Sequence, residues 1–402
     1  MTTKKLTRKQ RILVATTLFG MFFGAGNLIF PVHLGQMAGS NVIPAIIGFI
    51  ITAVGIPIFG VAAIGVTHSD GLQTLSGKVG KGYGIFFTCL LYLTIGPLFA
   101  IPRCATTSFT VGVAPMLSAG ASESIALLIF SVIFFAIVLI LSLRPGEITV
   151  WIGKVITPIF LVFLAILVVT ALINPSTSVS DVEPAAGYQT GALSLGFIEG
   201  YNTMDTIAAL NFGLVISTTL GTFGLEQKRD KMRYTVLAGL LAGTILALVY
   251  AMLSYMGMCS SGVYEIQENG AWTLRCIVYQ VFGSVGAVLL AAIFTLACLT
   301  TCVGLINSIS QYFSMLFQKV SYRAWAYIIT FFSFLVCNLG LNMILSISVP
   351  ILNAIYPVSI VLILLGLSHD LWKRNRFAYP MTVIGTAVIS ILYALEKAGV
   401  PF

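Results

Sequence analysis

The stretch FGMFFGAGNLIFP, residues 19–31, decides how this chain folds. It lies in the first long apolar run of the sequence, yet it carries Gly20, Gly24 and Gly26 near the middle of that run. Glycine in a helix interior costs about 1 kcal/mol relative to alanine, and Pro31 further disfavours a regular helix. The pattern predicts a membrane-spanning helix that is broken near its centre.

A second interrupted stretch, GFIEGYNTMD, covers residues 196–205. It places two glycines and the carboxylates of Glu199 and Asp205 inside another apolar run. An ionised group in hydrocarbon costs several kcal/mol. We therefore expect this segment, like residues 19–31, to be something other than a regular helix that faces lipid.

The composition of the whole chain is typical of a protein in a bilayer. The 402 residues include only 21 basic and 13 acidic side chains, 58% are hydrophobic, and the mean hydropathy is +1.01. One globular core cannot hide that much apolar surface from water. The composition excludes an ordinary cytosolic enzyme, a nucleic-acid-binding protein and a disordered chain, and it predicts the lipid bilayer as the partner of the protein.

Eleven apolar runs are long enough to cross a bilayer, whose hydrocarbon core takes about 20 helical residues. The sequence therefore predicts an all-α polytopic membrane protein with eleven transmembrane helices, which we call spans 1–11. Their predicted bounds are 12–36, 42–66, 83–113, 124–143, 148–173, 191–216, 235–257, 283–307, 322–338, 344–367 and 377–395.

Basic residues indicate which side of the membrane holds the N-terminus. Eighteen of the 21 Lys and Arg side chains lie in the N-terminal segment 1–11 or in loops on the same side, Arg275 and Lys397 lie on the other side, and Arg103 lies inside span 3. Basic loops stay in the cytoplasm. The sequence predicts a cytoplasmic N-terminus in a multi-pass protein of the cell membrane.

The two interrupted spans stand five apart along the chain. Because five is odd, spans 1 and 6 enter the membrane from opposite sides, which indicates an inverted-topology repeat. The sequence predicts a first repeat over 12–173, a second over 191–367 and an additional helix over 377–395. At 1.5 Å per residue, Gly24 lies about 18 Å into span 1 and Glu199 about 12 Å into span 6. Both breaks are predicted near the bilayer midplane.

The break in span 1 has the chemistry of an anion site. Backbone amides of Gly24, Ala25 and Gly26 would begin a second half-helix, whose positive dipole end favours a carboxylate. Carbonyls of the first half-helix, at Gly20 and Phe23, would face a cation. The alternative is that Gly20 and Gly24 form a GxxxG packing face.

The break in span 6 brings charge into the membrane. Either Glu199 or Asp205 could neutralise a substrate ammonium or a coupling cation, or could carry a proton between the two aqueous sides. The alternative is that one acid only satisfies amides of the broken helix or pairs with a neighbour. We count Gly196, Gly200 and Tyr201 with Glu199 among the candidate substrate-binding residues.

Span 8 contains LACLTT, residues 296–301. The hydroxyls of Thr300 and Thr301 with the carbonyl of Ala297 give three hard oxygens for an alkali cation. The alternative is that both hydroxyls bond back to carbonyls of their own helix. Span 3 contains GPLFAIPR, residues 96–103, in which Arg103 lies about 30 Å from the start of the span. We expect Arg103 to extend into the headgroups, or to line a vestibule where it pairs with an acid.

These residues resemble a known family, the branched-chain amino acid:cation symporters, or branched-chain amino acid transport system II carriers. The resemblance covers nearly the whole chain. It is carried by FGAGNLIFP (residues 23–31), by GPLFAIPR (residues 96–103) and by GFIEGYNTMD with the following TIAAL (residues 196–210).

The resemblance implies a fold and an activity. The family is similar to the amino acid–polyamine–cation superfamily, so it implies a leucine-transporter-type fold and uptake of leucine, isoleucine or valine in a prokaryote, with Na⁺ or H⁺ as the coupling ion and no other cofactor. It also implies a carboxylate clamp at Gly24-Ala25-Gly26. The implied sodium site comprises Gly20, Phe23, Ala297, Thr300 and Thr301, and the residues predicted to couple or gate are Asn27, Arg103 and Asp205.

The sequence departs from the family in one respect. The family usually has twelve spans, whereas eleven are predicted here, which we expect to affect folding or oligomerisation more than chemistry. No oligomeric state is predicted. The alternatives to the symporter are a transporter of another small neutral amino acid, an intramembrane enzyme and a channel. An enzyme is not expected, because the sequence has no HExxH, no GxSxG and no paired histidines within a span.

Overall fold

The computed structural model describes residues 5–66, 71–118, 120–144, 147, 149–173, 182–266, 269–372, 375 and 377–397, and helices account for most of them. The helices are α1 (Arg8–Phe22), α2 (Ala25–Ala38), α3 (Val42–Ile50), α4 (Ile56–Val66), α5 (Leu72–Ser76), α6 (Lys81–Leu93), α7 (Ala100–Gly112), α8 (Glu123–Ser142), α9 (Thr157–Ile173), α10 (Tyr188–Glu199), α11 (Asp205–Thr222), α12 (Lys228–Ser260), α13 (Gly270–Phe282), α14 (Ser284–Leu316), α15 (Tyr322–Cys337), α16 (Leu341–Leu367), α17 (His369–Trp372) and α18 (Ala378–Lys397).

Helices occupy all eleven predicted spans, although several spans are interrupted. Turns of π-helix at Ile51–Gly55, Thr94–Leu98 and Thr149–Ile156 interrupt spans 2, 3 and 5. By length and composition, eight described helical segments can cross a membrane, and nine when the pair bent by 45° in span 6 counts as one. This number is below eleven partly because α1 and α15 have only 15 and 16 residues.

The outward faces of the helices are apolar. Ile129 on α8, Phe331 on α15 and Ile389 on α18 are exposed over 57%, 61% and 71% of their surface. In water such faces would be costly, whereas hydrocarbon solvates them. Meanwhile the single ion pair among the described residues, Arg144 to Glu147 at 3.8 Å, lies on the surface beyond the end of α8.

Glycines let the helices around the two breaks pack backbone against backbone. A Cβ atom added at Gly196 on α10 would lie 2.0 Å from the carbonyl oxygen of Ala45 on α3. A Cβ atom added at Gly257 on α12 would lie 2.0 Å from the carbonyl oxygen of Val32 on α2. One half of each broken span therefore packs closely against a neighbouring span, as small residues allow in membranes.

Helix α13 was not predicted from the sequence. It lies between spans 7 and 8 and packs against α2, where a Cβ atom added at Gly270 would lie 2.1 Å from the carbonyl oxygen of Ile29. The Thr273 hydroxyl donates to the side-chain oxygen of Gln36 at 2.9 Å. At 13 residues, α13 is too short to span a bilayer, and it covers the second half of span 1.

Candidate functional site

Span 1 is broken at two residues, Phe23 and Gly24. Helix α1 ends at Phe22 and α2 begins at Ala25, and Gly24 between them is extended, with φ −113° and ψ −161°. The side chain of Asn27 closes the break, because its Oδ1 accepts a hydrogen bond from the Gly24 amide at 2.9 Å. The predicted interruption is therefore present, and it leaves the N-terminus of α2 in the protein interior.

Span 6 is broken by a short 3₁₀ turn, Gly200–Thr203, followed by Met204. Met204 has φ 65°, and it is the one non-glycine residue with positive φ in the described part of the chain. This left-handed conformation costs a non-glycine residue about 1–2 kcal/mol. It redirects the chain so that α11 starts at Asp205, whose side chain is only 1% exposed.

Side chains of the two breaks are hydrogen bonded to each other. Asn27 Nδ2 donates to both carboxylate oxygens of Asp205, at 3.0 and 2.8 Å. The hydroxyl of Tyr250, on α12, donates to Asp205 Oδ2 at 2.7 Å and also contacts Asn27 Nδ2. Two neutral side chains from different spans therefore donate hydrogen bonds to this buried carboxyl group.

Arg103 does not extend into the headgroups, and that expectation is wrong. The residue is 3% exposed, its Nη1 donates to the carbonyl of Asn202 at 2.9 Å, and its guanidinium lies 5.4 Å from the centre of the Phe30 ring. Two features explain the difference. Span 3 kinks at Gly96, with φ −90° and ψ −117°, and α7 continues to Gly112, which places Arg103 about 14 Å before its end.

The two breaks, span 3 and span 8 enclose one small cavity. The volume that the centre of a water molecule can occupy in it is about 20 Å³. The cavity can therefore hold a water molecule, but it is too small for an aliphatic side chain. The polar side chains that line it are those of Asn27, Arg103, Cys104, Thr203, Asp205 and Thr301. The main-chain segment Gly24-Ala25-Gly26 also lines the cavity.

Oxygens from spans 1 and 8 converge beside this cavity. The Thr300 hydroxyl lies 2.6 Å from the carbonyl oxygen of Gly20 and 2.7 Å from that of Ala297. The Thr301 hydroxyl is buried without a hydrogen-bond partner among the described residues. It lies 3.0 Å from the position that a Cβ atom would take at Gly24. The structure thus brings three of the five candidate cation ligands, Gly20, Ala297 and Thr300, into contact, and the Thr301 hydroxyl lies at the break in span 1.

Another candidate cation ligand, Phe23, lies at the break itself. Its ring stacks on those of Phe19 and Phe160, with centroids 5.2 and 5.5 Å apart. The stack holds the end of α1 against α9, and it fixes the backbone at the point where the helix stops.

Four candidate substrate-binding residues of span 6 do not line the cavity. Gly196 faces α3, as described above, and a Cβ atom at Gly200 would lie 1.9 Å from the Thr52 hydroxyl. Glu199 accepts a hydrogen bond from Asn202 Nδ2 at 2.9 Å. Tyr201 stacks on Tyr356 with centroids 4.6 Å apart. In this structure these residues pack the first half of span 6 against its neighbours.

Two residues of the site, Tyr250 and Cys104, are not among those predicted from the sequence. Tyr250 is fully buried inside the apolar run of span 7, away from the interfaces where tyrosines of membrane proteins concentrate, and that position was a usable signal. Cys104 follows Arg103, and its thiol contacts the Ala25 amide and the thiols of Cys298 and Cys302. Nothing in the spacing of the cysteines indicated this cluster.

The architecture is similar to that of a solved transporter. The structure matches Mhp1, a nucleobase-cation-symport-1 family transporter in a closed conformation with bromovinylhydantoin bound, over 96% of this chain and 93% of that chain. The TM-score is 0.58 and the sequence identity is 12%, so the likeness establishes the fold alone. The protein is therefore a polytopic helical membrane protein of the leucine-transporter-type fold, as the sequence predicted.

Sequence comparison then gives the family. Residues 7–401 match the profile of the branched-chain amino acid transport proteins, and the chain belongs to this family. It is 41% identical over 389 residues to the branched-chain amino acid permease BrnQ of Lactobacillus delbrueckii subsp. lactis, covering 96% of this chain and 87% of that protein.

A second relative gives the same result. The chain is 41% identical over 397 residues to the branched-chain amino acid permease BrnQ of Bacillus subtilis (strain 168), covering 99% of this chain and 90% of that protein. The resemblance found in the sequence is confirmed. The prediction that the chain is a transport protein rather than an enzyme is confirmed as well.

Proposed function

We propose that this protein imports leucine, isoleucine and valine by symport with Na⁺ across the cytoplasmic membrane of a prokaryote. The family and the bacterial permeases named above support the substrate class. The buried polar cavity between the two broken spans supports a site at the middle of the membrane, where transporters of this kind bind their substrates.

The observation that carries sodium coupling is the cluster of oxygens between spans 1 and 8. The Thr300 hydroxyl lies within 2.7 Å of two carbonyl oxygens, those of Gly20 and Ala297. The buried Thr301 hydroxyl adds another oxygen without a partner among the described residues. Neutral oxygens of carbonyls and hydroxyls suit a hard alkali cation. A cation held here would join the two spans.

The lining of the cavity suits an amino acid with an aliphatic side chain. The N-terminus of α2 favours a carboxylate, while Ile95, Ala100, Ala208 and Leu305 supply apolar wall. One methylene in an apolar pocket is worth only about 1–3 kcal/mol. Leucine, isoleucine and valine are therefore all expected as substrates.

Transport requires the cavity to open, because its present volume excludes these substrates. We propose that spans 1, 2, 6 and 7 move as a bundle against spans 3, 4, 8 and 9. The close backbone contacts of α10 with α3 and of α12 with α2 support a bundle that moves as one unit. Sodium that joins spans 1 and 8 would favour the state that binds substrate, and the coupling is reciprocal.

The orientation is proposed from charge. Arg8, Lys9 and Arg11 stand at the start of α1, whereas Arg275 and Lys397 are the basic residues of the opposite side. The excess of basic residues supports a cytoplasmic N-terminus, with α13 then on the outer side. A reporter fused to each end of the chain tests this assignment.

The experiment for the proposed function is uptake of radiolabelled leucine into proteoliposomes, with Na⁺ and H⁺ gradients imposed separately. We expect accumulation with the sodium gradient alone and competition by isoleucine and valine. The variant Thr300→Ala/Thr301→Ala is expected to lose sodium dependence while it remains folded. The control is Thr244→Ala, because that hydroxyl is exposed and bonds to the Leu240 carbonyl within its own helix, at 2.8 Å.

Other outcomes would change the proposal in defined ways. Accumulation driven by protons alone would move coupling to a carboxyl group of span 6, with Asp205 as the first candidate. Sodium-driven uptake of another small neutral amino acid, without leucine uptake, would replace the substrate. Unchanged sodium dependence in the folded Thr300→Ala/Thr301→Ala variant would contradict the assignment of the cation site.

A further inference from the structure

Two side chains of opposite charge are buried beside one cavity of this membrane protein. Arg103 on span 3 is 3% exposed and Asp205 on span 6 is 1% exposed. Taking charges out of water costs several kcal/mol each, and removing one partner of such a pair costs more. A stable fold that keeps both charges therefore needs each to have a partner during function.

Within the described part of the chain, the hydrogen-bond partners of each charge are neutral. Asp205 accepts hydrogen bonds from Asn27 and Tyr250. Arg103 donates to the carbonyl of Asn202, and its Nε has no hydrogen-bond partner among the described residues. Arg103 and Asp205 do not form an ion pair with each other, since the one described ion pair is elsewhere on the surface.

Both charges line the same small cavity. Arg103 stands on the side of the α2 N-terminus, where its Nη2 lies 2.9 Å from the position that a Cβ atom would take at Gly26. Asp205 stands on the side of Tyr250. The cavity is thus lined by one positive and one negative side chain.

We propose that Arg103 and Asp205 form a receptor for the zwitterionic main chain of the substrate, with the guanidinium binding the carboxylate and the Asp205 carboxylate binding the ammonium. The proposal rests on the transport of amino acids proposed above and names the groups that recognise them. A guanidinium presents paired donors that match a carboxylate. The partial positive charge of the helix dipole at the α2 N-terminus favours the carboxylate on the same side.

The proposed receptor predicts which ligands the protein rejects. A ligand that lacks one of the two charges would leave either Arg103 or Asp205 buried beside an uncharged group. Such a mismatch at a desolvated charge typically lowers affinity by at least about 100-fold. The protein is therefore expected to reject amines and carboxylic acids that carry the same branched side chain as leucine.

The test compares three ligands on the full chain in lipid nanodiscs. Leucine has both charges, leucinamide keeps the ammonium without the carboxylate, and 2-hydroxy-4-methylpentanoate keeps the carboxylate without the ammonium. Dissociation constants are measured by calorimetry in saturating sodium. In the unmodified protein we expect leucine to bind at least about 100-fold more tightly than either analogue.

Substitutions then assign each charge to one end of the ligand. In Arg103→Gln we expect the preference for leucine over leucinamide to fall to a few-fold, while the preference over the hydroxy acid persists. In Asp205→Asn the reverse is expected. The ratio of two dissociation constants within one variant is insensitive to loss of folded protein, so each variant is its own control.

Two further variants keep the test decisive if a single substitution prevents folding. Arg103→Lys keeps the charge and loses the paired donors, so it should reduce the preference for leucine over leucinamide partially. Arg103→Gln/Asp205→Asn removes both buried charges together, and it should lose both preferences.

The receptor proposal would be overturned by folded variants that keep both 100-fold preferences. It would also be overturned by variants in which the dissociation constants of all three ligands rise by one common factor. Unmodified protein that binds leucine without preferring it to the analogues would overturn it too, and the proposed function would stand. Unmodified protein that binds none of the three branched-chain amino acids would overturn the proposed function. The same three-ligand comparison with another α-amino acid would then decide the receptor.

Discussion

The break in span 1 is made by glycine and neutral groups, whereas the break in span 6 carries a left-handed methionine and a buried carboxylate. At Gly24 the backbone is extended and a neighbouring amide, Asn27, closes the gap. At Met204 the backbone has φ 65°, and the next residue is Asp205. Both breaks present the start of a half-helix to one cavity, but only one of them supplies charge.

The difference suggests a division of labour between the two halves of the chain. The span 1 break leaves amides and carbonyls close to span 8, where neutral oxygens meet. The span 6 break gives the cavity its negative charge. Asn27 connects the two breaks, since its Oδ1 accepts a hydrogen bond from the Gly24 amide and its Nδ2 donates one to Asp205.

The largest effect is expected from removal of the charge in the second break. Asp205→Ala leaves Arg103 buried without a balancing carboxylate and removes the acceptor for Asn27 and Tyr250. Hydrogen bonds to a charged group contribute about 1.5–3 kcal/mol each, so the loss of the acceptor shared by Asn27 and Tyr250 should cost about 3–5 kcal/mol. We expect a loss of that size in the free energy of unfolding, measured in mixed detergent micelles, together with loss of leucine uptake.

Glu199→Ala is the matched control for that variant. Glu199 lies six residues earlier and accepts a hydrogen bond from Asn202 within the same short turn, at 2.9 Å. A local contact of this kind contributes about 1 kcal/mol. Equal losses in the free energy of unfolding from Asp205→Ala and Glu199→Ala would mean that the two carboxylates of the second break contribute equally to stability. That result would contradict the distinct role given to Asp205.

A smaller effect is expected from the residue that connects the breaks. Asn27→Ala removes two hydrogen bonds to Asp205 and the one that closes the Gly24 backbone. Hydrogen bonds to charged groups contribute about 1.5–3 kcal/mol, and we expect a loss of stability in that range. Asn27→Ala, Asp205→Ala and the double variant form a cycle whose coupling energy should be at least about 1 kcal/mol. Strictly additive losses would show that the two breaks are independent.

The smallest effects separate the two faces of the first break. Gly24→Ala would place a Cβ atom 3.0 Å from the Thr301 hydroxyl, and Gly26→Ala would place one 2.9 Å from Arg103 Nη2. We expect the first to raise the sodium concentration for half-maximal uptake about 10-fold, or 1.4 kcal/mol, and the second to weaken leucine binding similarly. Each variant is the control for the other. A common shift in both quantities for both variants would contradict separate faces.

Much of this architecture follows from local sequence. Glycines within an apolar run and acids inside another predicted where the helices stop, because both features act on the residues that carry them. The grouping of Thr300 and Ala297 follows from helical spacing, and their proximity to Gly20 was expected from the family resemblance.

Long-range geometry could not be predicted in the same way. The depth of Arg103 depends on the kink at Gly96 and on the full length of α7, which the residue count along span 3 does not specify. The contact of Tyr250 with Asn27 joins residues 223 positions apart. Gly196 and Gly200 were expected at the substrate, yet they serve close packing, because a glycine in a sequence does not reveal which neighbour approaches it.

The cysteine cluster gives the protein a native chemical label. Cys104 lines the cavity, and its thiol touches those of Cys298 and Cys302 across spans 3 and 8. A thiol reagent reaches this wall only when the site is open to the solution that contains the reagent. Labelling of Cys104 by membrane-impermeant maleimides added to one side or the other, located by peptide mass spectrometry apart from the half-buried Cys89 and Cys276, would therefore report which face of the carrier is open.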